Sequence, residues 1–179
     1  MYAGSSFVGH SLWLVPREPV RSRIQTAIDH YSSEQGTVNF QAHVTLVAGV
    51  DPEGGASEVL TKAESLALKL QPISARVERT GCMDLYFKSV FALLERDQTI
   101  LDAHKVAREE FGQDPNDGSE YIPHASLVYG DLPMPTREAI RLEAEPGLLS
   151  DPLILDSLEV WCTQGVVAEW KRLATFAIG

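Results

Sequence analysis

Two short stretches of the sequence pair a histidine with a hydroxyl residue two positions later. His43 precedes Thr45 in QAHVTLVAG, and His124 precedes Ser126 in YIPHASLVYG. Because side chains alternate faces along an extended strand, each histidine points to the same face as its hydroxyl partner. An imidazole exchanges protons near neutral pH, and a hydroxyl can donate to an anionic oxygen. Two such strands placed side by side would suit acid–base chemistry on a phosphodiester.

The chemistry predicted for these four residues is hydrolysis of a phosphodiester. One imidazole would activate a water while the other protonates the leaving oxygen, and each transfer contributes roughly 10² to 10⁴-fold. We assign His124 as the base and His43 as the acid; the exchanged assignment stays open because the two stretches are nearly symmetric. Thr45 and Ser126 would donate to the nonbridging oxygens. Two imidazoles supply both proton transfers, so we expect neither a metal nor a cofactor.

Length and charge restrict the classes of protein and partner. A chain of 179 residues, 44% hydrophobic, can bury a sizeable core, so we predict one domain over residues 1–179. The net charge of -10 opposes binding of long nucleic acid but is compatible with a small nucleotide. No apolar stretch approaches the roughly 20 residues that cross a bilayer, and no secretory leader is evident. We therefore expect a cytoplasmic monomer that contacts no membrane. Cys82 and Cys162 could be free thiols or one bridge.

The elements that must position the two stretches alternate between strands and helices. Apolar runs and alternation predict strands at 7–15, 38–50, 73–80, 85–94, 121–129, 153–162 and 166–178. Helical spacing of apolar residues predicts helices at 19–36, 59–70, 100–111 and 133–144. This order indicates an α+β fold with antiparallel pairing. Nearly half the chain separates the two histidines, and a helix precedes each motif strand. We therefore expect two pseudo-symmetric lobes that face each other.

Four segments carry a resemblance to a known family. They are SLWLVP at 11–16, FQAHVTL at 40–46, VFALL at 90–94 and YIPHASLVYGD at 121–131. With its paired motifs, the chain resembles the two-histidine phosphoesterase superfamily, in particular the plant and fungal cyclic phosphodiesterase group. The resemblance implies a bilobal fold of antiparallel sheet with flanking helices around a central cleft that carries both motifs.

The resemblance also implies an activity. Members of this group open cyclic phosphates without a metal. The implied substrates are ADP-ribose 1'',2''-cyclic phosphate, which yields ADP-ribose 1''-phosphate, and nucleoside 2',3'-cyclic phosphates, which yield nucleoside 2'-phosphates. Such an enzyme would act on by-products of tRNA splicing.

Three further binding residues come from the same resemblance. Trp13 and Phe87 could offer an aromatic surface to the nucleobase, and Tyr129 could reach the phosphate through its hydroxyl. Tyr129 lies an odd number of positions after His124. A regular strand would point the two side chains to opposite faces, so this role requires a β-bulge between them.

Three other functions are compatible with parts of the sequence. A metal site would need further ligands, whereas the motif positions offer only hydroxyls. An enzyme acting on RNA ends would need a basic groove, for which Arg76, Arg79 and Lys88 could supply a local patch. A noncatalytic nucleotide-binding module would keep the cleft without turnover.

The remaining conspicuous side chains have structural explanations. We interpret His104 as a packed helix residue, and residues 108–110 as a solvated helix face. Trp161 and Trp170 are interpreted as core or sheet packing.

Overall fold

The computed structural model describes residues 9–179. Its strands are β1 (His10–Pro16), β2 (Val44–Val50), β3 (Ile73–Ala75), β4 (Val77–Cys82), β5 (Val90–Leu94), β6 (His124–Val128), β7 (Leu153–Cys162) and β8 (Lys171–Ala177). Its α-helices are α1 (Val20–Gln35), α2 (Gly55–Lys69), α3 (Gln98–Glu110) and α4 (Met134–Leu148). Short 3₁₀ helices occupy Tyr86–Lys88 and Val167–Glu169.

All strand pairs are antiparallel and belong to one sheet in the order β3-β7-β1-β2-β6-β5-β4, with β8 beside β7. The predicted α+β class is therefore confirmed. The two motif strands, β2 and β6, are neighbours in the middle of the sheet. They are joined at one residue pair, Val44 with Ala125. Both histidines consequently lie at the junction of the two halves of the sheet.

Two of the four described helices, α1 and α3, pack on the half of the sheet opposite to the strand that precedes them in the chain. α2 packs on β7 and β8, and α3 packs on β2, while α4 packs on β4 and β5. α1 follows β1 in the chain but packs against β6 in the other half. Apolar residues on the inner helix faces, such as Ile24, Ile28 and Leu66, are fully buried against the sheet. This burial fixes the position of both motif strands.

Several strands are shorter than the alternation predicted. The strand predicted at 38–50 begins at Val44, because the Gln25 side chain donates to the Phe40 carbonyl and accepts from the Ala42 N–H in place of a partner strand. The strand predicted at 121–129 begins at His124, after Pro123, which has no N–H for a ladder.

The other differences are also local. The 3₁₀ turns shorten the strands predicted at 85–94 and 166–178, and α4 continues to Leu148. The strand predicted from residue 7 begins at His10, and residues 7 and 8 lie outside the described residues. Cys82 and Cys162 are both free thiols. Among residues 9–179, no helix is long and apolar enough to cross a membrane.

Candidate active site

A cavity of about 310 Å³ lies beside β2 and β6. Six of the seven predicted site residues line it: Trp13, His43, Thr45, Phe87, His124 and Tyr129. The seventh, Ser126, is not among the described residues that line it. The fold thus brings residues from both halves of the sheet to one place.

The two histidines have the same hydrogen-bond arrangement. His43 Nδ1–H donates to the Gln41 carbonyl at 2.6 Å, and His124 Nδ1–H donates to the Ile122 carbonyl at 2.7 Å. A carbonyl oxygen can only accept, so Nδ1 carries the hydrogen in both rings. In the neutral form, Nε2 is then the atom that can take a proton.

Burial keeps both imidazoles uncharged at neutral pH. It lowers the pKa of His43 to about 3, partly offset by the bond to Gln41, and the nearby His124 lowers it further. Burial likewise lowers the pKa of His124 to about 4; the bond to Ile122 opposes this, and the charge of Lys88 adds to it. Either ring must therefore gain a proton, with help from an anion, before it can act as an acid.

An aromatic stack supports His43 from behind. Its ring lies parallel to Trp13, with centroids 3.6 Å apart, and Trp13 stacks in turn on Trp161 at 4.4 Å. His43 immediately precedes β2, Trp13 lies on β1 and Trp161 lies on β7. Because β1 lies between β2 and β7, His43 and Trp161 cover opposite faces of Trp13. Trp13 is 2% exposed. The stacked rings of His43 and Trp161 cover Trp13, which leaves it little free surface for a nucleobase and lets it support the His43 ring.

A β-bulge turns Tyr129 toward the cavity. Phe91 pairs with Ser126 whereas the preceding residue, Val90, pairs with Val128, so β6 has one extra residue at this point. The bulge reverses the alternation after Ser126, which removes the parity objection to Tyr129.

The Tyr129 hydroxyl lies 3.5 Å from His43 Nε2, and its ring stacks on Phe40 at 3.7 Å. Burial raises the pKa of Tyr129, so its hydroxyl stays protonated and can donate to Nε2. A substrate oxygen that approaches His43 would therefore also approach this hydroxyl.

The hydroxyls of the two motifs differ. Thr45 is half-buried and lines the cavity. Ser126 is buried, and its hydroxyl donates to the Phe87 carbonyl at 2.9 Å. Ser126 would have to give up that bond before it could donate to a phosphate.

The aromatic surface of the cavity comes from Phe87 and Trp170. Their rings are stacked 5.8 Å apart, and both are half-buried in the cavity wall. Interpreting Trp170 as packing alone was wrong, because it shares this wall with Phe87. No local motif marks Trp170, which the β7–β8 connection brings to the site.

Residues 8–178 match the family described as cyclic phosphodiesterase-like protein. The chain belongs to this family. Family membership confirms the expected resemblance and, at the level of the family, the expected phosphodiesterase class.

Two fungal proteins are similar to the chain in sequence. A 2',3'-cyclic-nucleotide 3'-phosphodiesterase of Neurospora crassa is 26% identical over 176 residues, covering 80% of this chain and 83% of the relative. The protein of the same name from Yarrowia lipolytica is 26% identical over 178 residues, covering 79% and 82%.

Solved structures share the fold. TT0787 of Thermus thermophilus has a TM-score of 0.61 at 19% identity, covering 94% of this chain and 97% of that one. LigT of E. coli, solved with 3'-AMP, has a TM-score of 0.55 at 11% identity, covering 97% and 99%.

A polar side of the cavity was not predicted from the sequence. It is formed by α3 and the loop after it, with the side chains of His104, Arg108, Gln113, Ser119, Glu120 and Tyr121. His104 does pack, as predicted, with its ring parallel to Tyr121 at 3.8 Å, but it also lines the cavity. The side chain of Arg108 is 13% exposed and ion-paired with Asp117, so the solvated-face interpretation was wrong for Arg108.

The structure also bears on the predicted basic patch and on the metal-site alternative. Of the predicted basic patch, Lys88 lines the cavity, whereas Arg76 and Arg79 are not among its described lining residues. Between residues 9 and 179, no group of three or more His, Cys, Asp or Glu side chains is arranged to hold a metal ion.

Proposed function

We propose that the protein hydrolyses nucleoside 2',3'-cyclic phosphates to nucleoside 2'-phosphates, with His43 and His124 as the proton-transfer groups. One observation carries the proposal: both rings line a single cavity, and each donates Nδ1–H to a backbone carbonyl, which leaves both Nε2 atoms for chemistry. The names of the Neurospora crassa and Yarrowia lipolytica relatives support the same reaction.

In the proposed mechanism, His124 Nε2 takes a proton from a water that attacks phosphorus. The bond from phosphorus to O3' breaks, its electron pair stays on O3', and protonated His43 Nε2 donates a proton to that oxygen. The substrate anion favours the protonated form of His43. Thr45 donates to a nonbridging oxygen, as does Ser126 once it leaves the Phe87 carbonyl. Two imidazoles complete the proton transfers without a metal or cofactor.

We extend the proposal to a second substrate, ADP-ribose 1'',2''-cyclic phosphate, with ADP-ribose 1''-phosphate as the product. We also propose that the protein is a cytoplasmic monomer that acts on by-products of tRNA splicing. The family supports the reaction type. The net charge of -10 favours a small nucleotide over long RNA as the substrate. The preferred substrate is decided by comparing kcat/KM for the ADP-ribose and adenosine cyclic phosphates.

The test is turnover of adenosine 2',3'-cyclic phosphate followed by phosphorus NMR, which distinguishes 2'-AMP from 3'-AMP. We expect 2'-AMP from the unmodified protein and a loss of at least roughly 10²-fold in kcat for His43→Ala and for His124→Ala. The matched control is His30→Ala, whose histidine is exposed on α1; it should retain full activity.

Three outcomes would contradict parts of the proposal. Binding without turnover would indicate a nucleotide-binding module. Loss of activity with a chelator would indicate a metal enzyme. Release of 3'-AMP would show that the other phosphorus–oxygen bond breaks.

A further inference from the structure

The polar side of the cavity is built on the backbone of β2. Beyond its single pair with β6, carbonyl groups of β2 accept hydrogen bonds from side chains of α3 and the following loop. These bonds are Tyr121 hydroxyl to Thr45 at 2.9 Å, His104 Nδ1–H to Leu46 at 2.7 Å, and Gln113 Nε2–H to Ala48 at 3.2 Å. These three bonds tie the polar side of the cavity to the backbone of β2.

Each of these bonds determines which atom remains for a ligand. Since His104 Nδ1 carries the hydrogen, Nε2 is an acceptor, and since Gln113 Nε2 donates, Oε1 is an acceptor. The parallel stack on Tyr121 holds the His104 ring in this orientation. Burial lowers the pKa of His104, which keeps the ring neutral and Nε2 an acceptor at pH 7.

The charged neighbours do not favour an anion here. The guanidinium of Arg108 is bonded to Asp117 at 2.6 Å and to Ser119 at 2.9 Å. Glu120, which also lines this side, brings a carboxylate that is paired with Arg96. Within residues 9–179, Arg108 also has a buried Nε–H without a hydrogen-bond partner. His104 Nε2 and Gln113 Oε1 are acceptors, and the complement of these two atoms is a neutral group that donates hydrogen bonds.

We propose that His104 and Gln113 form a base-recognition subsite that accepts hydrogen bonds from the exocyclic amino group of adenine or cytosine. The inference rests on the proposed function, because it assumes a nucleoside cyclic phosphate in the cavity. An oxo group at the same position would face lone pairs and would be disfavoured. A ribose hydroxyl is another neutral donor that a nucleotide offers, and the experiment separates it from the exocyclic amino group.

The experiment compares substrates that differ at one group. Cytidine and uridine 2',3'-cyclic phosphates differ by an amino or oxo group, and the adenosine and purine riboside compounds differ by the presence of the amino group. We expect kcat/KM to favour the amino compound by about tenfold in at least one pair. His104→Phe, which can keep the stack on Tyr121, and Gln113→Leu should each reduce this ratio, and the double variant should bring it below about twofold.

The matched control is His30→Phe on α1, which should leave the ratio unchanged, and thermal unfolding checks that each variant is folded. A ratio near one in both pairs with the unmodified protein, or a ratio that survives in the folded double variant, would overturn the proposal. The 5'-deoxycytidine compound lacks the 5'-hydroxyl of the ribose. If this compound loses the preference over the uridine compound, the subsite binds the ribose, and the proposal is also overturned.

Failure of the proposed function would look different. If no cyclic phosphate is hydrolysed, the subsite is tested by the dissociation constants of cytidine and uridine 2'-monophosphates. A preference of about tenfold for the cytidine compound, abolished in the double variant, would support the subsite without the activity. Equal dissociation constants would reject both.

Discussion

His43 and His124 occupy equivalent places in two related motifs, yet their surroundings differ. His43 is 4% exposed, lies flat on Trp13, and has the Tyr129 hydroxyl at its Nε2. His124 is half-buried and meets Phe91 edge to face at 5.5 Å, and the cation of Lys88 acts on it. The charge of Lys88 favours a neutral His124, as a base requires, but burial lowers the pKa of His43 further, so these shifts do not assign the two roles. Two similar motifs therefore offer two different proton-transfer environments.

The largest expected effect separates the acid from the base. A 2',3'-cyclic nucleotide with sulfur in place of O3' has a leaving group that departs without protonation. His43→Ala should cost roughly 10³-fold in kcat with the oxygen substrate, but less than about tenfold with the sulfur substrate. His124→Ala should cost the same with both. If His43→Ala loses the same factor in kcat with the oxygen and sulfur substrates, the two roles are exchanged. Single-turnover kinetics measures these losses.

The next comparison concerns the motif hydroxyls. Thr45→Val should lower kcat by roughly 10²-fold, in the range found for loss of one transition-state donor. Ser126→Ala should cost roughly tenfold or less, because its hydroxyl already donates to the Phe87 carbonyl. The kcat values of the two variants, measured side by side, test this order. A larger loss for Ser126→Ala would contradict the expectation that its bond to Phe87 limits its contribution.

A smaller effect is expected from the stack behind His43. Trp161 covers the rear face of Trp13, and its indole N–H donates to buried Glu159 at 2.8 Å. Trp161→Leu should lower kcat about tenfold with little change in KM, the size expected for a displaced proton-transfer group. Phe91→Leu, the matched change beside His124, should have less effect on kcat. Thermal unfolding of both variants separates lost positioning from lost stability.

The pH response completes the series. In NMR titrations, both imidazoles should protonate well below the ordinary pKa of about 6.5, with His43 at about 3 and His124 at about 4. At pH 7, binding of 2'-AMP should then take up a fraction of a proton, measurable by calorimetry in buffers of different ionisation enthalpy. Midpoints near 6.5, or no proton uptake, would contradict this account.

The same pKa values fix the sign of one stability effect. Because the folded-state pKa values are lowered, the unfolded chain binds more protons between pH 6.5 and 3. The two histidines therefore contribute stability above about pH 6.5, and this contribution is lost as the pH falls toward 4 and 3. His43→Phe, which can keep the stack on Trp13, should make the free energy of unfolding less acid-sensitive in urea titrations.

Much of the fold could be predicted because it depends on local patterns. Apolar spacing predicted the four helices of residues 9–179, and alternation predicted most of the strands. The ends of the strands were harder to predict from the sequence, because the Gln25 side chain replaces a partner strand for residues 40–42. Tyr129 posed a similar problem: the alternation assigned it to the wrong face, and only the pairing of β5 with β6 reveals the bulge.

By itself, the sequence determined the two histidine–hydroxyl motifs, the alternation that places each pair on one face, the α+β class and the family. Only the tertiary structure decided that Trp13 is covered on both faces, that Ser126 is bonded to Phe87, and that His104 and Gln113 reach the same cavity. The physical reason is the distance in sequence between the residues that interact. Periodicity and motif spacing are set by neighbours in the chain, whereas ring contacts and carbonyl partners depend on strands and helices that are distant in sequence.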